Sequence, residues 1–280
     1  MRFAKYHGLG NDFVLLDWLS GGEPVEPALA RRMCDRRRGV GADGVLTLLP
    51  GGGGVGRMHV TNADGTVAQM CGNGIRCVAK YLADERGLSG DELPIDSDAG
   101  LKLCRLTRDA GSVSSVAVDM GKPELDPARI PLSTTVAGRF VRQAISVGGL
   151  EVVGTAVSMG NPHFVVFDLP VSQSMEMLGP KLETHPLFPQ RANIEFAKLE
   201  GAGLAVTVWE RGVGFTQACG TGACAAMVAA VLEGRLPAGG YRPVRLPGGV
   251  LQVLVPTDLS TVWMQGPAER VFDGEWIEPR

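Results

Sequence analysis

Two cysteines carry the chemistry written most plainly into this chain. Cys71 stands in Cys71-Gly72-Asn73-Gly74 and Cys219 in Cys219-Gly220-Thr221-Gly222, 148 residues further on. After each, the spacing of apolar residues predicts a helix. The first covers about 73–86, with Ile75, Val78, Ala79 and Leu82 at i, i+3, i+4 and i+7; the second covers 221–233 and is almost wholly small and apolar. A thiol at the mouth of a helix meets unpaired backbone N–H groups and the positive end of the dipole, which bind anions and lower the thiol pKa from about 8.5. One C-G-x-G alone reads as a buried structural cysteine. Two at equivalent places read as chemistry. Thiols set against the two faces of one planar carbanion make a two-base racemase or epimerase, in which one takes the Cα proton and the other returns it. Backbone N–H groups of Gly72, Asn73, Gly220 and Thr221 would hold the substrate carboxylate and stabilise an enediolate-like transition state.

The rest of the chain must position those thiols. Its 280 residues are 45% hydrophobic and 20% charged with a net charge of −3, which suits one large core or two modest ones and excludes disorder. There is no basic stripe for nucleic acid and no apolar run near the ~18 residues of a membrane span. The opening MRFAKYHGLGND lacks the apolar core of a signal peptide. A cytoplasmic protein with no nucleic-acid or membrane partner is expected. None of the six cysteines forms C-x-x-C and zinc spacing is missing, so no metal is expected. Cys34, Cys77, Cys104 and Cys224 read as core residues. Lys80, the lysine nearest a motif, reads as a solvated helix residue rather than a pyridoxal anchor.

Strands are expected at 13–16, 45–49, 115–120, 140–147, 164–167, 204–209, 250–255 and 261–264, with a last one at 271–277. The second helix is hydrophobic all round and must be buried on every side, which among many strands means a helix wrapped by sheet. Gly10-Asn11 recurs as Gly160-Asn161, the cysteine motif recurs 148 residues on, and Val118-x-Met120-x-x-Pro123 recurs as Val262-x-Met264-x-x-Pro267. Three matches in one order indicate a duplication. The expected fold is therefore α/β of the α+β type. It has two pseudo-symmetric domains, each a mixed sheet around a central buried helix, with an active site in the cleft between them. The first repeat covers 1–119 with 265–280 returning to it, and the second covers 120–264. The run Gly51–Gly54 lies between strands and lacks the Lys-Ser/Thr of a phosphate loop, so it reads as a flexible hairpin.

The segments HGLGNDFVLLD (7–17), RRRGVGADG (36–44), NADGTVAQMCGNGIRC (62–77), GNPHFVVF (160–167), RANIEF (191–196) and ERGVGFTQACGTGACAA (210–226) span nearly the whole chain. In their types and order they closely resemble the diaminopimelate epimerases, pyridoxal-independent enzymes of lysine and cell-wall synthesis. The resemblance implies that Cys71 and Cys219 are catalytic, one thiolate base and one thiol acid exchanging roles with direction. It implies that His163 and Glu210 tune those thiols. It places Asn11, Asn62, Asn161, Asn193 and Arg211 in contact with an amino-acid substrate, alongside Glu210 and the backbone of both cysteine motifs. Amides can serve ammonium and carboxylate alike, and Arg211 can grip a distal carboxylate bidentately. The family further implies no cofactor and a homodimer.

His163 alone would read as a hydrogen-bonded surface residue, but its place in G-N-P-H, equivalent to the Gly10-Asn11 half-site, favours function. Glu210 and Arg211 could be an exposed charge pair, yet Glu210 stands nine residues before Cys219 as Asn62 stands nine before Cys71. His59 and His185 show no partner pattern, and His7 reads as a support behind the site. Two departures bear on the substrate. Phe215 stands where the resembled family usually has Glu, and Gly44 where some members have a substrate-contacting Gln. They keep open a racemase of another amino acid on the same scaffold. A two-domain amino-acid binding protein with a redox-labile cysteine pair is the non-enzymatic alternative.

Overall fold

Gly10, at a φ of 81°, reverses the chain between the strands Arg2–Gly8 and Asn11–Asp17, which pair antiparallel. In the computed structural model, which describes residues 1–169 and 174–278, this hairpin opens the first of two compact units, Met1–Asp119 with Gln265–Arg280. From Asn11–Asp17 the sheet runs parallel to Gly44–Leu49, antiparallel to Arg57–Asn62 and parallel to Glu92–Ser97. It continues antiparallel through Gly100–Asp109 to Ser112–Asp119. The strand Glu269–Glu275 pairs with the other edge of Arg2–Gly8. Pro279 and Arg280, the end of the expected returning segment, lie outside the described residues.

Two helices belong to this unit. The helix α1, Pro27–Cys34, has Pro at its start and packs Ala30, Met33 and Cys34 into a cluster with Val14, Leu16 and Val45. The helix α2, Gly72–Asp84, touches seven strands, from Arg2–Gly8 round to Ser112–Asp119, and buries ten of its residues. It is the central helix of a curved sheet.

The second unit, Met120–Met264, repeats the pattern; residues 170–173 of the expected repeat lie outside the described residues. Gly160, at a φ of 97°, turns Leu150–Ser158 back onto Pro162–Val166, antiparallel. The sheet then runs parallel to Asn193–Glu200, antiparallel to Gly203–Glu210, parallel to Tyr241–Leu246 and antiparallel to Gly249–Leu254. This is the order found in the first unit. Helix α3, Met175–Glu183, covers the outer face, and helix α4, Gly220–Leu232, lies inside the curve against six strands. Its alanines let those strands approach closely from every side. Registers match as well. Phe13 lies opposite Gly44 in the first parallel pair and His163 opposite Asn193 in the second, so Phe13 is the counterpart of His163 and Leu46 of Glu195.

The mixed, sheet-rich fold with few helices is the one expected from the sequence. The two inner helices begin one residue earlier than their apolar spacing indicates, and the expected strand 140–147 starts at Gln143. Several strands escaped the reading, among them Gly100–Asp109, where Lys102, Arg105 and Arg108 interrupt the apolar alternation. Helix α3 escaped because Gly179 and Pro180 stand inside it. Lys80 is not a solvated residue. Its ammonium is largely buried and donates to Asp84, Ser112 and the Val113 carbonyl at 2.6–2.9 Å. The glycine hairpin is tied down, with Gly52, Gly53 and Gly54 all donating N–H to Asp96 Oδ2 at 2.8–3.0 Å. Among the described residues no helix is long and apolar enough to cross a membrane.

Candidate active site

Each cysteine of the repeated motif is the N-cap of its inner helix. Cys71 has extended backbone, φ −137° and ψ 110°, and its sulfur accepts the N–H of Gly74 at 3.4 Å. Cys219, at φ −109° and ψ 108°, accepts the N–H of Gly222 at the same distance. Sulfur thus takes the place that a Ser or Asp oxygen holds at most helix starts. The glycine at the third helical position is required by space. A Cβ on Gly74 would lie 2.8 Å from Leu46 Cδ2, and one on Gly222 would lie 2.8 Å from Glu195 Oε1 and 3.2 Å from Cys219 Sγ.

In the first unit the structure brings Asn11 and Asn73 to Cys71. Asn11 Oδ1 lies 3.9 Å from Cys71 Sγ and accepts from Asn73 Nδ2 at 3.0 Å. Asn11 is itself held: its Nδ2 donates to Asp43 Oδ2 at 2.8 Å, and Arg36 clamps Asp43 and Asp12 together. Lys5, buried, completes the chain at 2.6 Å from Asp12. Asn62 ends its strand opposite Gly44, and its Nδ2 donates to Thr66 Oγ1 at 3.0 Å. Arg36 and Asp43 were not singled out from the sequence, although both lie in the RRRGVGADG segment. His7 accepts the Gly10 N–H at 3.5 Å, behind the turn that sets Asn11.

In the second unit Cys219 is 7% exposed and its sulfur lies 3.5 Å from Thr221 Oγ1. His163 is fully buried, so the surface alternative for it falls. Its Nε2 meets Asn161 Oδ1 at 2.9 Å and its Nδ1 meets Glu195 Oε1 at 2.7 Å. Glu210 accepts from Thr216 Oγ1 at 2.5 Å. Asn193 accepts the backbone N–H of Arg211 at 2.8 Å, and the exposed Arg211 guanidinium donates to the Gln190 carbonyl. Glu195 is the residue that the sequence reading passed over. Its signal was a carboxylate between Ile194 and Phe196 in an otherwise apolar stretch of strand.

The electrostatics at Cys219 reverse one expectation. The helix end alone would lower its thiol. Burial instead pushes the thiol well above its usual value, and the Glu210 carboxylate pushes the same way, against the bonds from Thr221 and Gly222. This environment favours the thiol over the thiolate at Cys219. Cys34, Cys77 and Cys104 are buried and raised by burial, to about 11, 12 and 12, which keeps them inert. None of the six cysteines is in a disulfide. Among the described residues no group of three or more His, Cys, Asp or Glu is placed to hold a metal. His59 has a partner after all, Asp98 at 3.0 Å.

The two departures have local explanations. A Cβ on Gly44 would stand 3.0 Å from the Thr61 carbonyl. Phe215 packs edge to face on Trp209, with centroids 5.0 Å apart, and the indole Nε1 of Trp209 donates to Glu183.

Known proteins agree with this architecture. The family model described as diaminopimelate epimerase matches residues 3–125 and 155–271. The diaminopimelate epimerase of Desulforudis audaxviator is 50% identical over 281 residues, covering 99% of both chains. Diaminopimelate epimerase 1 of a Nostoc species is 46% identical over 98% of this chain and 99% of that one. Among solved structures, a probable proline racemase from Agrobacterium radiobacter superposes with a TM-score of 0.72 at 14% identity, covering 99% of this chain and 92% of that one. A predicted epimerase from Pseudomonas aeruginosa gives 0.67 at 16%, covering 99% of each. At those identities the structural likeness speaks for the fold alone, while the sequence matches speak for the family. The chain belongs to the diaminopimelate epimerase family.

Proposed function

We propose that the protein is a cofactor-independent epimerase interconverting LL- and meso-diaminopimelate, with Cys71 and Cys219 as its acid–base pair. The observation that carries this is the repeated cysteine N-cap, set in the motifs of a family whose relatives bear that name at up to 50% identity among those compared. In one direction a Cys71 thiolate removes the Cα proton while the protonated Cys219 thiol donates to the opposite face. In the other direction the roles exchange. Each such transfer is worth roughly 10²–10⁴ in rate. The N–H groups of Gly72, Asn73, Gly220 and Thr221 receive the reacting carboxylate, where charge grows as the carbanion forms. Asn11, Asn62, Asn161 and Asn193 orient the amino-acid groups, Arg211 takes the distal carboxylate, and His163 and Glu210 set the field at Cys219.

The repeats at 1–119 with 265–280 and at 120–264 act as the two domains of this machine, which we place in the cytoplasm as a homodimer. Sedimentation of the purified protein checks the dimer. The activity is tested by incubating the reduced protein with LL-diaminopimelate in deuterated water without pyridoxal phosphate. Deuterium at Cα with formation of the meso isomer is expected, lost in Cys71→Ala and in Cys219→Ala. Exchange that survives both substitutions would sink the two-thiol mechanism. Phe215, an aromatic ring against Trp209 near Glu210, favours one second reading, a racemase of another amino acid. Comparing rates for diaminopimelate, lysine, histidine, glutamate and proline separates the two.

A further inference from the structure

Glu195 takes no part in the proposed proton transfer, yet it is fully buried between Ile194 and Phe196. Oε1 lies 2.7 Å from His163 Nδ1, and Oε2 is buried with no hydrogen-bond partner among the described residues. An ionised carboxylate with one oxygen unsatisfied in such a place is strongly disfavoured. A carboxylic acid does not carry that cost, because its remaining carbonyl oxygen is a much weaker acceptor.

Counting protons at His163 narrows the choice. An amide oxygen only accepts, so Nε2, facing Asn161 Oδ1 at 2.9 Å, carries hydrogen. The contact at Nδ1 then holds one further proton, either on the ring with an ionised Glu195 or on Glu195 with a neutral ring. The groups facing the pair are Glu210, from the neighbouring strand, and Cys219, from helix α4. Neither is a cation that would favour a carboxylate. Burial pushes Glu195 up, Glu210 adds to the push, and His163 opposes it.

The other unit supplies an internal control. Strand register makes Phe13 the counterpart of His163 and Leu46 the counterpart of Glu195. The approach distances agree: Leu46 Cδ2 limits a Cβ on Gly74 to 2.8 Å, as Glu195 Oε1 does on Gly222. The same sheet and inner helix are therefore built around Cys71 with two apolar side chains. Packing does not require the polar pair, and burying it opposes stability. Its use lies in the half-site of Cys219.

We infer that Glu195 is a positioning residue, a buried carboxylic acid that donates its proton to Nδ1 of His163 and holds the imidazole as its neutral Nε2–H tautomer. Both ring nitrogens are then engaged. His163 acts on Cys219 as an oriented neutral dipole that fixes Asn161, not as a cation or a proton acceptor. Because Glu195 itself is uncharged, Glu210 is left as the negative charge beside Cys219. The catalytic consequence rests on the proposed epimerase reading; the protonation of the pair does not.

The test is nitrogen-15 spectroscopy of the imidazoles in the reduced full-length protein, with His163 assigned through its loss in His163→Asn. A neutral Nε2–H tautomer near neutral pH is expected. An imidazolium or an Nδ1–H tautomer there overturns the inference. Kinetics give the second arm. Glu195→Leu, the side chain at the equivalent place in the first unit, is expected to lower kcat by about tenfold or more with a smaller change in KM. Glu195→Gln, whose amide can donate to Nδ1 as the acid does, is expected to recover most of that loss. Gln as damaging as Leu, or Leu without effect in a folded protein, overturns the role. The spectrum needs no turnover, so an inactive protein with a neutral His163 leaves the inference standing. An active epimerase carrying an imidazolium at His163 sinks it alone.

Discussion

Asn11 Nδ2 donates to Asp43 Oδ2 at 2.8 Å, and this bond turns the amide so that its Oδ1 faces the sulfur of Cys71. The orientation of a proposed substrate-binding amide is thus set by a carboxylate that Arg36 holds from its other oxygen. Asp43→Ala removes the acceptor and frees the amide to flip. We expect kcat/KM to fall about tenfold, corresponding to the loss of one charge-assisted hydrogen bond. Steady-state kinetics with a circular dichroism control check this, and unaltered kcat/KM in a folded variant would refute it.

Gly222 sits where a methyl group would press on both Glu195 Oε1 and Cys219 Sγ. Neither neighbour is the loose end of a surface side chain, since both are buried. Gly222→Ala is expected to destabilise the protein by about 1–3 kcal/mol and to reduce activity beyond what that explains. Urea titration alongside turnover at a temperature well below the transition separates the two effects.

Burial is the larger cause of the raised Cys219 thiol, and Glu210 adds to it. Its carboxylate opposes a neighbouring thiolate, so it contributes to the raised thiol. Glu210→Gln removes that charge and must lower the pKa of Cys219, which moves its alkylation profile to lower pH. The rate of iodoacetamide modification of Cys219, followed against pH by mass spectrometry, reads this directly. A shift upward, or none, contradicts the placement of that charge.

Acid should destabilise the protein through Asp12. Burial raises its carboxyl, but hydrogen bonds from Arg36 and Lys5 outweigh burial and bring it from 3.8 down to about 2. A lowered folded value means the unfolded chain binds the proton first as pH falls. The stabilisation is therefore present above about pH 4 and is lost as pH drops through about 2; for this mostly buried side chain it is on the order of 2 kcal/mol. Denaturant midpoints at several pH values in that window should slope for the native protein and slope less for Asp12→Asn.

Local signals reached a good part of the fold and the site. The inner helices showed themselves through apolar spacing, and the all-apolar helix at 220–232 could only be a helix enclosed by sheet. The outer helix with Pro180 inside and the charged strand Gly100–Asp109 stayed hidden, because their stability comes from neighbours distant in sequence rather than from their own pattern. Cys71 and Cys219 stand out as candidates by residue type within a short repeated motif, whereas Asn11, Asn62, Asn161 and Asn193 enter as candidates only through the family resemblance.

By itself, the sequence determined the duplication, the two thiols at helix mouths and the family. Tertiary structure alone decided the surroundings that give each thiol its character. Strand pairing put Glu195 against His163 in one unit and Leu46 and Phe13 at the same places in the other. It also buried Cys219 beside Glu210, reversing the direction that the helix dipole would have set. Desolvation and through-space charge depend on what folds against a residue, and no local spacing encodes them.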